Sequence, residues 1–123
     1  MIKRKYHNKP KVRDGIHFDS TLEGRCWSVL KNQLAKGKIA DLRRQVDYTL
    51  LPAIDDVDPD TGEAYHQEPV RYRADFVFTD VRTGKEIVMD AKGHKTKEYE
   101  LKRKMMRALL GITIREVYKA SMI

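Results

Sequence analysis

Asp90 and Lys92 stand two residues apart at the end of "EIVMDAK", an apolar run that reads as a buried strand. In an extended chain side chains i and i+2 project from one face, so this carboxylate and this ammonium point together. The preceding strand, "VRYRADFVF", offers a second carboxylate, Asp75. If Val81 to Gly84 form a four-residue loop with Gly84 in the left-handed region, Asp80 pairs with Lys85. Counting back along that antiparallel ladder sets Phe78 against Ile87 and Asp75 against Asp90. Two carboxylates directly opposite, their side-chain roots roughly 4.5 to 5.5 Å apart, repel one another. A hard cation such as Mg²⁺, with oxygen ligands at about 2.0 to 2.1 Å, removes the conflict and keeps positions open for water and phosphate oxygens. Such an ion stabilises charge on a displaced phosphate and helps to generate hydroxide, while Lys92 on the same face could orient the attacking water or steady the phosphorus. The alternative is a wet sheet face on which Asp75 and Asp90 merely pair with Arg71, Arg73 or Lys92.

The elements that must position these groups are readable in turn. Asp19 and Ser20 precede "TLEGRCWSVLKNQLAKG", and Ser20-x-x-Glu23 matches a capping box. Leu22, Cys26, Val29 and Leu30 make one face of this helix, and Gly37 stops it. Glu23 either holds the helix terminus or reaches the sheet as a further metal ligand; both roles stay open. Ile39 to Leu51 reads as a strand, with Val46, Tyr48 and Leu50 alternating against Gln45, Asp47 and Thr49, and Pro52 closes it. A second helix is predicted from about Lys97 to Leu110, with Leu101, Met105, Ala108 and Leu109 inward and Lys102, Arg103 and Arg107 toward solvent or ligand. Gly111 ends it, and "ITIREVY" makes a last strand. The predicted order is α-β-β-β-α-β behind a flexible basic arm, residues 1 to 14, with residues 15 to 123 forming a single domain.

Charge narrows the partners. The chain has 123 residues and net charge +7, yet Asp55 to Glu68 carries six acids and no Lys or Arg, which leaves the rest near +13. Six of the first 13 residues are basic, as are six between Lys95 and Arg107, a clustering that suggests a phosphate-binding footprint. Candidate DNA contacts are Lys95, Thr96, Lys97, Lys102, Arg103 and Arg107. The acidic stretch superficially matches a calcium loop through Asp56, Asp58 and Asp60, but Gly62 falls one position late and Gln67 stands where the twelfth, acidic ligand belongs. A solvated hairpin loop is expected there instead. Cys26 is the lone cysteine, which excludes an intrachain disulfide and a cysteine zinc cluster. No apolar signal region follows the basic start and no run of 18 apolar residues occurs, so a cytoplasmic protein is expected.

The set Glu23, Asp75, Asp90-x-Lys92 resembles the PD-(D/E)xK nuclease superfamily. The stretches "DGIHFDSTLEGRCW", "GKIADLRRQVDYTLLP", "YRADFVF" and "VMDAKGHKTKEYELKRK" are similar to small phage-encoded members, over about Lys5 to Val117. The resemblance implies a restriction-endonuclease-like α/β core, a central mixed sheet flanked by helices. It implies catalytic roles for Glu23, Asp75, Asp90 and Lys92, with Asp75, Asp90 and Glu23 at Mg²⁺ and Mn²⁺ able to substitute. Ala74 stands where the signature proline would be, and Asp90, the shorter of the two permitted acids, sets its carboxylate closer to the backbone. Gln45 aligns with a recurrent Gln of these nucleases or serves the sheet as a hydrogen-bonding residue. The implied function is metal-dependent cleavage of branched DNA by a Holliday junction resolvase in a bacterial host cell, working as a homodimer because a junction needs two symmetric cuts. Another nicking or restriction-like endonuclease and a non-catalytic DNA-binding module are the alternatives. Intact Asp75, Asp90 and Lys92 disfavour the module, and a short chain with little room for sequence readout disfavours restriction.

Overall fold

In the computed structural model, which describes residues 12–123, the elements in chain order are β1 (Val12–Arg13), β2 (Ile16–His17), α1 (Thr21–Ala35), β3 (Ile39–Leu51), β4 (Ile54–Val57), β5 (Ala64–Gln67), β6 (Val70–Asp80), β7 (Glu86–Ala91), α2 (Lys97–Leu110) and β8 (Arg115–Val117), followed by one 3-10 turn, Ala120–Met122. The main sheet has the order β3-β6-β7-β8. Its first two pairings are antiparallel and β7 runs parallel to β8, so the sheet is mixed. The fold is α/β, with α1 and α2 covering this central sheet.

The short loop after β6 sets the register at the site. Gly84 lies at φ +74°, where a side chain would be strained. Its N–H bonds Asp80 O at 2.7 Å, and Asp80 N–H bonds Lys85 O at 2.8 Å. Phe78 consequently faces Ile87 and Phe76 faces Met89, as the count from sequence expects.

Both helices begin and end on the residues whose types predict it. Ser20 Oγ accepts Glu23 N–H at 3.0 Å at the start of α1. The helix closes with Gly37 at φ +74°, where Gly37 N–H bonds Leu34 O and Lys38 N–H bonds Gln33 O, a paired bond that satisfies the last carbonyls. Thr96 Oγ1 caps α2 through Tyr99 N–H at 3.0 Å, and left-handed Gly111 ends it.

Two hydrophobic clusters lie on the two sides of the sheet. Cys26, Trp27 and Leu30 of α1 pack with Phe18 against Phe76, Phe78 and Met89. Tyr99 and Met106 of α2 pack against Leu50, Tyr72, Ala74, Val77 and Val88. Strict alternation would keep Tyr72, Ala74, Phe76 and Phe78 on one side, yet the first two belong to the α2 cluster and the last two to the α1 cluster. On β3 the same exchange separates Leu42 from Val46, Tyr48 and Leu50. It falls at Gln45, whose φ of +54° is left-handed for a non-glycine residue, a conformation that costs on the order of 1 to 3 kcal/mol. The pairs Arg44 with Phe76 and Val46 with Ala74 set Gln45 across from Asp75.

Four differences from the sequence expectation stand out. The buried residues of α2 are Tyr99 and Met106, while Leu101 and Leu109, predicted inward, are 59% and 50% exposed. Ala108 is exposed too, and only Met105 of that stripe is partly buried. Tyr99, Arg103 and Met106 share one helical face, and the bonds of Tyr99 and Arg103 to Glu116 turn that face to the sheet in place of the apolar stripe. Residues 12–14, expected in the arm, instead belong to the β1–β2 ribbon and its turn; Asp14 Oδ2 accepts Trp27 Nε1–H at 3.0 Å and Arg13 bonds Ser28 Oγ at 2.8 Å. The rest of the arm lies outside the described residues. Trp27, not among the residues predicted for the α1 face, is buried against Phe76. The expected acidic loop is a paired ribbon, β4–β5, exposed at all eight of its strand residues. Among the described residues no helix is long and apolar enough to cross a membrane.

Candidate active site

The β6–β7 ladder stops at Phe76 and Met89. One step further, where Asp75 and Asp90 come opposite, side chains take over from the backbone. Asp75 N–H donates to Asp90 Oδ1 at 3.2 Å, and Ala91 N–H donates to Asp75 Oδ2 at 2.9 Å. Beyond this point β6 stays with β3 as far as Val70, while β7 turns to β8 with Asp90 beside Glu116. The two carboxylates thus sit at the apex of a fork in the sheet.

Burial sharpens their conflict. Asp90 is 2% exposed and Asp75 partly buried. Desolvation first, then the charge of Asp90 and contact with its carboxyl group, and then the charge of Glu23, push the Asp75 carboxyl up to about 8; the Ala91 N–H only partly opposes them. Lys92 Nζ lies 2.8 Å from Asp90 Oδ2, as either reading of this face allows. Arg73 does not join them, since it forms two bonds with Asp47 at 2.8 and 3.1 Å, and Arg71 makes no ion pair among the described residues.

Glu23 arrives from α1. It is 4% exposed, and its backbone N–H, not its carboxylate, serves the Ser20 cap. The carboxylate accepts Gln45 Nε2–H at 2.9 Å and lies 3.6 Å from Arg44 Nη2. Adjacent strand residues ordinarily point to opposite faces. Left-handed Gln45 lets both Arg44 and Gln45 reach the α1 side, so the strained backbone and the grip on Glu23 are one feature. Burial, then the charge of Asp19, raise the Glu23 pKa against Arg44 and Gln45, and the charge of Asp90 adds to the rise. Between these acids lies Cys26, its thiol pushed up to about 11 by burial and by the charges of Asp75 and Glu23.

The donor set fits a hard divalent cation. Two carboxylates in contact, one held far above its ordinary titration range, are relieved by a proton on Asp75 or by a cation, and among the described residues Lys92 pairs with one oxygen of Asp90. Among the described residues no three His, Cys, Asp or Glu side chains are gathered closely enough to hold a metal as they stand, and the Glu23 carboxylate is bonded to Gln45. Asp75 and Asp90 are the two carboxylates the fork brings together, and a divalent cation there would take them as ligands.

The family model described as "Protein of unknown function (DUF1064)" matches residues 3–120. The chain belongs to the DUF1064 family. No curated protein matches it, and no solved structure does.

In this DUF1064 chain the candidate DNA contacts are dispersed among structural bonds. Lys95 Nζ bonds Tyr118 Oη at 2.9 Å and Glu116 at 3.4 Å, and Thr96 is the α2 cap. Lys102 pairs with Glu98 at 3.1 Å, Arg103 with Glu116 at 2.7 Å, and Arg107 donates to Gly111 O at 3.2 Å. Lys97 is exposed at the first position of α2 and makes no ion pair among the described residues. Sequence reasoning missed Arg44, Tyr72, Tyr99 and Glu116. The Arg44 guanidinium lies 4.6 Å from the Phe18 ring centre, and the buried Tyr72 hydroxyl has no hydrogen-bond partner among the described residues, while burial first and then the charge of Asp90 raise its pKa. A Tyr three residues after a Thr cap, with Met106 two turns on along the same face, was the available signal for Tyr99.

Proposed function

We propose that this DUF1064 protein is a metal-dependent endonuclease of the PD-(D/E)xK type with a restriction-endonuclease-like core. Its substrate is branched DNA, most specifically the Holliday junction, and it works as a homodimer that presents two sites to the two strands cut. The observation that carries this reading is the fork, where Asp75 and Asp90 meet with Lys92 seated on Asp90.

Asp75 and Asp90 would hold Mg²⁺, with Mn²⁺ as a substitute and Glu23 as a further carboxylate. A bound divalent ion supplies Lewis-acid stabilisation of phosphate charge and a more acidic water. The chain's own part is to position and to exclude water. Lys92 brings a fixed ammonium to the mouth of the fork, where it can meet a non-bridging phosphate oxygen as negative charge grows there. Gln45 and Arg44 hold Glu23 in a single orientation. Lys97 and the other cations of α2 would contact the backbone beyond the scissile phosphate and so read shape more than sequence.

A cleavage panel of four-way, flap, duplex and single-stranded DNA with Mg²⁺ or Mn²⁺ tests the reading. Selective cutting of the four-way substrate is expected. Equal cutting of all four removes the resolvase assignment, and cutting of none removes the nuclease.

A further inference from the structure

Lys92 touches a second group besides Asp90. Its Nζ lies 3.9 Å from the centre of the Tyr99 ring, close contact for an ammonium over an aromatic face. Tyr99 is buried at the start of α2, with the Tyr72 ring packed behind it at 6.3 Å and 50°. Its hydroxyl donates to Glu116 Oε2 at 2.6 Å. Glu116 also accepts from Arg103 at 2.7 Å, Tyr118 Oη at 2.8 Å and Lys95 at 3.4 Å, and it is the strand neighbour of Asp90. Burial opposes its charge, but the bonds from Tyr99, Arg103 and Tyr118 hold its carboxyl at about 2. It therefore stays an acceptor at neutral pH.

We propose that Tyr99 is the positioning residue for Lys92, its ring fixed by Glu116 so that the ammonium is held at the fork beside Asp90. The role rests on the nuclease reading only for its effect on rate. A lysine stem is long and rotates freely, and an aliphatic side chain in place of Tyr99 would fill the space without attracting the charge. The hydroxyl bond to an anion also draws electron density toward the ring face, which strengthens the seat. Contacts from β8 and α2 thereby converge on one side chain just past the end of β7.

The test joins a spectrum to kinetics. In a two-dimensional carbon–proton spectrum the Lys92 ε-methylene, assigned through Lys92→Met, should lie upfield of the other lysines because the ring shields it. Tyr99→Phe, which keeps the ring but loses its bond to Glu116, and Glu116→Gln should each reduce that shift, and Tyr99→Leu should abolish it. On a four-way junction with Mg²⁺, Tyr99→Leu should lower kcat about tenfold with KM unchanged, the size expected of a partly desolvated cation–aromatic contact, while Tyr99→Phe restores most of the rate. An unshifted Lys92 signal in the wild-type protein overturns the proposal, and so does Tyr99→Leu that folds and cuts at the wild-type kcat. If Tyr99→Leu does not fold, the wild-type and Glu116→Gln spectra decide. A wild-type protein that cuts no DNA yet shows the shift fails the nuclease reading and sustains the seat.

Discussion

Acidic residues crowd two regions of this chain, and the two treat them in opposite ways. In the β4–β5 ribbon the acids are solvent-facing and several accept hydrogen bonds. Asp58 Oδ1 accepts the backbone N–H groups of Asp60 and Thr61 at 2.8 and 3.0 Å, bonds that hold its pKa below the ordinary value. Asp55 meets His66 at 2.8 Å, and Asp56 takes the Tyr65 hydroxyl at 3.2 Å. At the fork two carboxylates are desolvated against each other, and Asp75 is driven up instead. Six acids within fourteen residues are tolerated where most are exposed and several accept a hydrogen bond. Two stand in conflict where burial sets them against each other and, among the described residues, Lys92 is the cation paired with Asp90.

The contrast breaks most sharply under isosteric substitution. Asp75→Asn and Asp90→Asn should bring junction cleavage to background while DNA binding in EDTA persists or tightens, because each removes a ligand charge and keeps the side-chain shape. Asp58→Asn and Asp60→Asn should leave the cleavage rate where it is. Cleavage lost through a ribbon variant, or kept in both fork variants, would reverse the assignment of the two regions.

Lys92→Met comes next. Metal binding should survive, and single-turnover cleavage should slow by roughly 10²-fold or more, the scale of losing one positioned electrostatic stabiliser. Glu23 then separates into its two halves. Ser20→Ala should cost about 1 kcal/mol in chemical unfolding with specific activity intact, because the cap is made by the Glu23 backbone. Glu23→Gln should keep the cap and lose metal-dependent cleavage.

A smaller effect is electrostatic in another sense. Between the ordinary carboxylate value of 3.8 and about 8, folded Asp75 keeps a proton that the unfolded chain has released. Metal-free protein should therefore lose stability as pH rises through that window. Saturating Mg²⁺ or Asp75→Asn should flatten the trend, and thermal unfolding at a series of pH values measures it. Smallest of all, Lys97→Ala should reduce the slope of log affinity against log salt by about 0.9 on duplex-like DNA.

Much of the fork was legible because its determinants are local. A loop of fixed length with Gly84 at its end counts the register, and Ser20, Gly37 and Gly111 mark helix ends through their own backbone chemistry. The rotation of α2 was not legible. Its apolar stripe Leu101, Met105, Ala108 and Leu109 obeys helical periodicity, yet Tyr99 and Arg103 turn another face inward through Glu116, a residue beyond the helix. The exchange of faces at Gln45 was equally hidden, since nothing in a glutamine between Arg44 and Val46 announces a left-handed backbone. Glu23 shows both sides: the capping box located the helix start, but only the folded β3 reveals that its carboxylate is held by Gln45.

The most direct measurement is a calorimetric titration of Mn²⁺ into the wild-type protein, Asp75→Asn, Asp90→Asn and Asp58→Asn. The expected result is a site present in the wild-type and Asp58→Asn proteins and lost from both fork variants. Binding that survives in Asp75→Asn and Asp90→Asn, or that disappears with Asp58, would contradict a cation site at the fork.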